Sequence, residues 1–259
     1  MKKYYLKVYE FCKKILIWLF LDSKEENRTT AKTIKDLLIA LVVATIIRSF
    51  LYEPFYIPSG SMKPGLLEGD FIIVSKYDYG YTKYSFPFAM FPFDGRIGFN
   101  EKKVIRGDVV VFRITSDPTI AYIKRLIGLP GDKIQVKEGV LYINGEKIEK
   151  EYAGEFVETE GKKLVKGYNE IINEHKFVVL DIVEDGRADN TQIFEVPVGY
   201  YFFMGDNRDN SLDSRFTETG FIPSQNLIGR ARFVFFSKWG TIFKIWKNVR
   251  FDRIFKVIK

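Results

Sequence analysis

Val140-Leu141-Tyr142-Ile143-Asn144-Gly145 is the stretch on which the fold class hinges. A β-branched and aromatic run ends on Asn-Gly, the dipeptide that tolerates positive φ at both central positions of a tight hairpin. The pattern predicts a strand through Ile143 and an antiparallel return. Working outward, the same texture recurs between turn signals. The runs are Phe71-Ile72-Ile73-Val74, Val109-Val110-Val111-Phe112, Phe177-Val178-Val179-Leu180, Tyr200-Tyr201-Phe202-Phe203 and Arg232-Phe233-Val234-Phe235-Phe236. Gly107-Asp108 and Gly131-Asp132 punctuate strand starts. Between Phe55 and Lys238 there is no helical periodicity of useful length and no internal repeat. The expectation is a mainly β domain built on antiparallel sheet.

Composition narrows the chemistry. The chain has 259 residues, 46% apolar and 28% charged, and a formal charge of 40 − 33 = +7. That excess sits mainly in 238–259, where seven basic residues face Asp252 alone. Such a tail suits anionic lipid or nucleic acid. One cysteine, Cys12, excludes an internal disulfide, and Cys12 with the single His175 cannot assemble a zinc site of three or four His/Cys ligands. His175 lies in the polar stretch Asn173-Glu174-His175-Lys176 and reads as a surface histidine beside a strand. A hydrolase built on this chain therefore needs a base other than histidine.

The N-terminal part has a different texture. Leu37 to Ile47 is uncharged and apolar, and the segment 34–52 reaches the roughly 20 residues a bilayer requires if Lys35, Asp36 and Arg48 sit toward the interfaces. A buried core helix is the competing reading on length. Flanking charge favours the membrane: residues 1–36 carry nine Lys/Arg and residues 53–75 only Lys63. The positive-inside rule then places the N-terminus in the cytoplasm and the chain after Tyr52 outside. No small-residue cleavage site follows, so the segment reads as an uncleaved anchor. Four regions are expected: a cytoplasmic segment 1–33, with an interfacial helix over 15–21; a transmembrane helix 34–52; an extracytoplasmic β domain 53–237; and a basic, aromatic, membrane-associated tail 238–259. The Phe- and Pro-rich loop 81–100 either dips into the membrane or folds back on the core.

Three segments carry candidate chemistry. Pro58-Ser59-Gly60-Ser61-Met62-Lys63-Pro64 crowds two hydroxyls into a turn whose N–H groups can face an oxyanion, although such a tetrapeptide is also common in linkers. In Tyr122-Ile123-Lys124-Arg125-Leu126, Lys124 either points to solvent or, turned inward, has its pKa lowered enough to take a proton from serine. Gly205-Asp206-Asn207-Arg208-Asp209-Asn210-Ser211-Leu212-Asp213-Ser214-Arg215 reads as a braced loop. Its aspartates also suggest calcium, against which Arg208 and Arg215 argue.

These segments, with Arg106-Gly107-Asp108-Val109-Val110-Val111-Phe112, together resemble the four sequence boxes of bacterial type I signal peptidases, in order, from about Arg48 to Arg215. The resemblance implies a Ser-Lys serine endopeptidase that removes signal peptides from exported preproteins. Ser61 matches the nucleophile and Lys124 the general base. Ser59 matches the oxyanion-hole hydroxyl, acting with the Ser61 N–H, and Ser211 the serine that orients the lysine. Arg125, Asp213 and Arg215 match structural charges, and Phe55, Ile57, Tyr122 and Ile123 the shallow substrate pockets. It further implies preproteins cut after small-x-small sequences, an extended substrate added as a strand, membrane lipids as neighbours, no metal and no cofactor, and a place in the cytoplasmic (inner) membrane with the catalytic domain on the periplasmic face. Three other readings compete. A self-cleaving repressor lacks its helix-turn-helix here. A specialised relative that matures one secretion substrate would share the same boxes. A nucleic-acid binder would use Trp239, Phe243, Trp246, Phe251 and Phe255 among the tail's basic residues; the expectation is no nucleic acid.

Overall fold

The computed structural model describes residues 30–86, 95–157, 164–173, 175–183, 185–240 and 248–259. It divides into two units, residues 1–48 and 49–259. A helix α1 spans Thr30–Phe50, its last two residues counted in the second unit. It ends before Leu51, because Tyr52 already belongs to β1 (Tyr52–Tyr56), so the segment expected over 34–52 closes two residues early. No helix among the described residues is long and apolar enough to cross a membrane. Lys35, Asp36 and Arg48 leave only Leu37 to Ile47 uncharged between them.

The second unit is sheet. Thirteen further strands follow: β2 (Asp70–Ser75), β3 (Val109–Arg113), β4 (Ala121–Gly128), β5 (Lys133–Lys137), β6 (Val140–Ile143), β7 (Glu146–Lys147), β8 (Lys150–Val157), β9 (Leu164–Ile172), β10 (His175–Asp181), β11 (Phe194–Glu195), β12 (Tyr200–Met204), β13 (Ile222–Pro223) and β14 (Leu227–Ser237). Seven form one sheet in the order β1-β2-β14-β3-β4-β12-β13; β10-β9-β8 and β11-β5-β6-β7 form two smaller ones. The named strands pair antiparallel. Asn144 and Gly145 have φ of 55° and 84°, and Ile143 pairs with Glu146, which is the two-residue hairpin expected from the sequence.

Each apolar run named from the sequence lies within a strand. The long pair β8 and β9 was not legible, because Glu, Lys, Asn and Gly break up its apolar residues and leave no continuous run. It is held by its register, Lys150 opposite Glu170 through Val157 opposite Leu164.

β3 sits inside the large sheet with both faces covered. Val109 and Val111 join a cluster with Ile57, Met62, Leu66, Ile72 and Val234. Val110 and Phe112 face Tyr79, Leu126 and Phe203 on the other side. Burying one such side chain contributes about 1.5–3 kcal/mol, so the strand is fixed from both faces. β4 pairs along it with Val110 opposite Lys124, and its register therefore decides where the lysine goes.

The loop after β2 returns to this unit at both ends. Tyr81 and Ile97 exchange backbone hydrogen bonds, and Phe99 packs on the Phe112 cluster. Phe86 meets Phe50 edge-on at 5.4 Å. Its tip, with Phe88, Phe91 and Phe93, lies outside the described residues, as does the expected interfacial helix 15–21.

In the tail, residues 248–259 are part of the β unit. β14 runs past the start of β3 and leaves an edge there. Phe255 N–H donates to Val234 O at 2.7 Å and Ile258 N–H to Arg232 O at 2.9 Å, filling it. Arg253 and Arg250 bond the buried Asp70 carboxylate, with Arg253 Nη2 at 2.6 Å. Two of the seven basic residues thus share one buried carboxylate within the protein.

Candidate active site

Ser61 and Lys124, separated by 63 positions in the chain, meet in the fold. Lys124 Nζ donates to Ser61 Oγ at 2.7 Å and to the Ile123 carbonyl at 3.1 Å. Alternation along β4 turns Lys124 and Tyr122 to one side, with the ammonium 5.2 Å from the centre of the Tyr122 ring. Lys124 is only 5% exposed. Burial lowers its pKa to about 8 against the opposing pull of Asp213 and Asp206. At that value a useful fraction of the amine is neutral near pH 8 and can accept the hydroxyl proton.

The turn carrying Ser61 follows β1 directly. Ile57 is clamped by paired backbone bonds, Ile57 N–H to Asp70 O and Gly69 N–H to Ile57 O, both 2.9 Å. Lys63 N–H closes back on Gly60 O at 3.1 Å, and Leu66 N–H on Met62 O at 2.9 Å. Ser59 stays exposed at the mouth of the turn.

Behind the dyad stands the loop from Gly205 to Arg215, held by buried charge pairs. Arg125 grips Asp206 with two hydrogen bonds, 2.7 and 2.6 Å, and its Nη1 donates to Gly107 O and Lys259 O. Arg215 grips Asp213 at 2.9 Å through both Nε and Nη2. Burial pushes the Asp213 carboxyl up, but Arg215 and the Gly205 N–H outweigh it, and its pKa ends below the ordinary carboxylate value. Arg208 reaches the three-stranded sheet, with Nη1 2.7 Å from Glu170 Oε1 on β9. Two of the three aspartates that suggested calcium, Asp206 and Asp213, therefore serve arginines. The third, Asp209, shares a carboxylate cluster with Asp181 and Asp189. There Lys150 and the amides of Ile182, Val183 and Gly186 supply donors.

Ser211 is buried beside the dyad, packed over Gly205. A Cβ added to Gly205 would run into the Ser211 side chain and come within 2.6 Å of the Ser61 carbonyl oxygen. The Ser211 hydroxyl makes no hydrogen bond, so the bond to Lys124 expected from the resemblance is not formed here. Of the four expected pocket residues, Phe55, Ile57 and Ile123 converge on the Met62 cluster. Tyr122 packs on the opposite face of β4, with Phe112. Gly205, Asn207 and Glu170 contribute to the site without having been singled out. The first two stood in a conspicuous string, whereas Glu170 carried no sequence signal.

A serine hydroxyl held by a buried, easily deprotonated amine on a β scaffold defines the class of serine hydrolases that use lysine as base. Residues 30–236 match the family model described as signal peptidase, peptidase S26. Three relatives bear the name signal peptidase I. That of Rickettsia canadensis is 42% identical over 91% of this chain and 97% of its own length. That of Rickettsia typhi is 41% identical over 91% and 96%, and that of Rickettsia bellii 42% over 89% and 86%. The chain belongs to the signal peptidase family, peptidase S26, and is a serine endopeptidase of signal-peptide processing.

Proposed function

We propose that Ser61 attacks the carbonyl at the signal-peptide cleavage site, Lys124 takes its proton and passes it to the leaving amine, and water then hydrolyses the acyl-enzyme. The observation that carries this reading is the 2.7 Å contact between a lysine whose pKa is near 8 and a serine in a tight turn. Ser59 Oγ and the Ser61 N–H receive the oxyanion. Ser211, whose buried hydroxyl lacks a partner, orients the amine when substrate closes the site. Arg125, Asp213 and Arg215 hold the surrounding loop.

β1 is an edge strand of the large sheet and runs through Ile57 into the Ser61 turn. An extended peptide added to that edge reaches the nucleophile, with Phe55, Ile57 and Ile123 shaping shallow pockets that suit small side chains before the cut. The substrates are preproteins whose signal peptide ends in a small-x-small sequence, after which the chain is cut.

The helix α1 anchors the protein in the cytoplasmic membrane, with the N-terminus inside. Its support is an apolar surface on every side: Leu37, Leu41 and Ile46 are 69%, 62% and 51% exposed. Exposed Phe251 and Phe255 beside the tail's lysines suit a lipid surface near the β unit.

The test is cleavage of a preprotein bearing an Ala-x-Ala site by detergent-solubilised protein. Ser61→Ala and Lys124→Ala should each abolish it while leaving circular dichroism unchanged. Processing retained by the Lys124 variant would refute the dyad.

A further inference from the structure

Asn207 lies in none of the roles assigned above, yet it touches the nucleophile's turn twice. Its Nδ2 donates to Gly60 O at 3.1 Å, and its backbone N–H donates to Ser61 O, also at 3.1 Å. It is fully buried. We infer that Asn207 is a positioning residue that aims the Ser61 N–H at the oxyanion by holding the carbonyls on either side of it; this rests on the reading of Ser61 as nucleophile.

The geometry of the peptide bond supplies the reason. A trans peptide is planar, so the Gly60 carbonyl and the Ser61 N–H point in opposite directions. Fixing that carbonyl toward Asn207 turns the N–H away from the loop. The Ser61 N–H makes no hydrogen bond among the described residues and is left for the substrate's oxygen. The second bond, to Ser61 O, fixes the next peptide plane, so the nucleophile cannot rotate about its own Cα without breaking one of the two.

Asn207 is itself rigidly carried. Leu180 of β10 donates to Asp206 O at 2.8 Å and accepts from Arg208 N–H at 2.9 Å. Asn207 lies between these bonds in a parallel bridge with Leu180, and its own N–H faces the other way, toward Ser61. Arg208 adds its ion pair to Glu170 on β9. The three-stranded sheet thus serves as the fixed body against which the turn is held. The amide orientation follows from the acceptors: reversing it would set Oδ1 against the Gly60 carbonyl, two acceptors face to face. As it stands, Oδ1 is buried and unpartnered, a sacrifice made for the Nδ2 bond.

Deleting an oxyanion-hole donor outright costs roughly 10²–10³ in kcat. Misaiming one should cost less, about 10- to 100-fold. The experiment compares Asn207→Ala and Asn207→Asp, both solubilised as the full chain and checked for fold by circular dichroism and Tm. Asn207→Ala loses only the side-chain bond; Asn207→Asp keeps shape but presents an acceptor to Gly60 O. The expected result is a 10- to 100-fold fall in kcat with KM within about twofold, and in Asn207→Ala, which adds no charge beside Lys124, the base limb of the pH profile unmoved. Affinity for a peptide aldehyde, whose adduct carries an oxyanion, should fall by the same factor, while affinity for the corresponding C-terminal amide stays constant. An unchanged kcat in a folded variant, or a lower kcat with aldehyde affinity intact, would overturn the inference. Cleavage retained by Ser61→Ala would instead remove the reading on which it rests.

Discussion

The pH dependence of cleavage follows from the environment of Lys124. The general base must be neutral to act, so kcat/KM should rise tenfold per pH unit below the lysine's pKa and level off above it. Burial sets that pKa to about 8, from an ordinary value of 10.5. At pH 7 about one molecule in ten then carries a neutral Lys124, against about one in 3,000 for an unperturbed lysine. The desolvated site therefore gains roughly 300-fold in competent enzyme, equivalent to about 3 kcal/mol at 1.36 kcal/mol per pH unit. The measurement is initial-rate cleavage of a fluorogenic peptide containing the Ala-x-Ala site, well below KM, from pH 6 to 10.5 in one mixed buffer at constant ionic strength. The profile should bend near pH 8. A rate still climbing tenfold per unit at pH 9.5 would mean a solvated lysine and would refute the burial argument. A bend that persists unchanged in a folded Lys124→Arg variant with residual activity would assign the titration to another group.

Further outcomes test the packing around the dyad. Lys124→Met should remove a stability penalty. Because the folded pKa lies below the unfolded one, the unfolded chain binds the extra proton between about pH 8 and 10.5, and the wild type gains stability as pH rises through that window. The stability difference between variant and wild type should therefore shrink by about 2–3 kcal/mol between pH 7 and 10 in denaturant titrations; a constant difference would contradict this. Gly205→Ala should abolish cleavage with little change in circular dichroism, since its Cβ would press on Ser211 and on the Ser61 carbonyl oxygen; near-normal kcat would show that the loop yields. Arg253→Met should destabilise the β unit by about 2–3 kcal/mol in urea, leaving the buried Asp70 with the Ser237 hydroxyl, the Leu67 N–H and only a 3.4 Å contact to the remaining cation, Arg250. A loss below about 0.5 kcal/mol would show the tail to be only loosely held.

What was legible in the chain was local. Asn144-Gly145 could only be a tight turn between strands, because both positions must take positive φ. Val109 to Phe112 read as a strand because β-branched and aromatic residues fill it; the structure covers both its faces. One histidine and one cysteine removed the usual bases and metal ligands before any geometry was known. The Ser61 turn and Lys124 were each ambiguous alone; it was the resemblance of the ordered segments, the Gly205–Arg215 loop above all, to the boxes of type I signal peptidases that named them.

Direction and partnership were not legible, since both are set by residues far away in sequence. Whether Lys124 faces solvent or a serine depends on the register of β4 against β3, where a slip of one residue would exchange it with Arg125. The same alternation sends Ile123 to the Met62 cluster and Tyr122 to the other face. Arg125 could have served any nearby aspartate, and the fold gives it Asp206. The tail read as basic throughout, and only the fold brings Arg250 and Arg253 to Asp70. The sequence by itself determined which side chains could do the chemistry, because residue type and short spacing are local properties. Only the tertiary structure decided that Ser61 and Lys124 meet at 2.7 Å in a site dry enough to hold the amine near a pKa of 8, because desolvation requires β4, the Ser61 turn and the Gly205–Arg215 loop, distant in sequence, to come together.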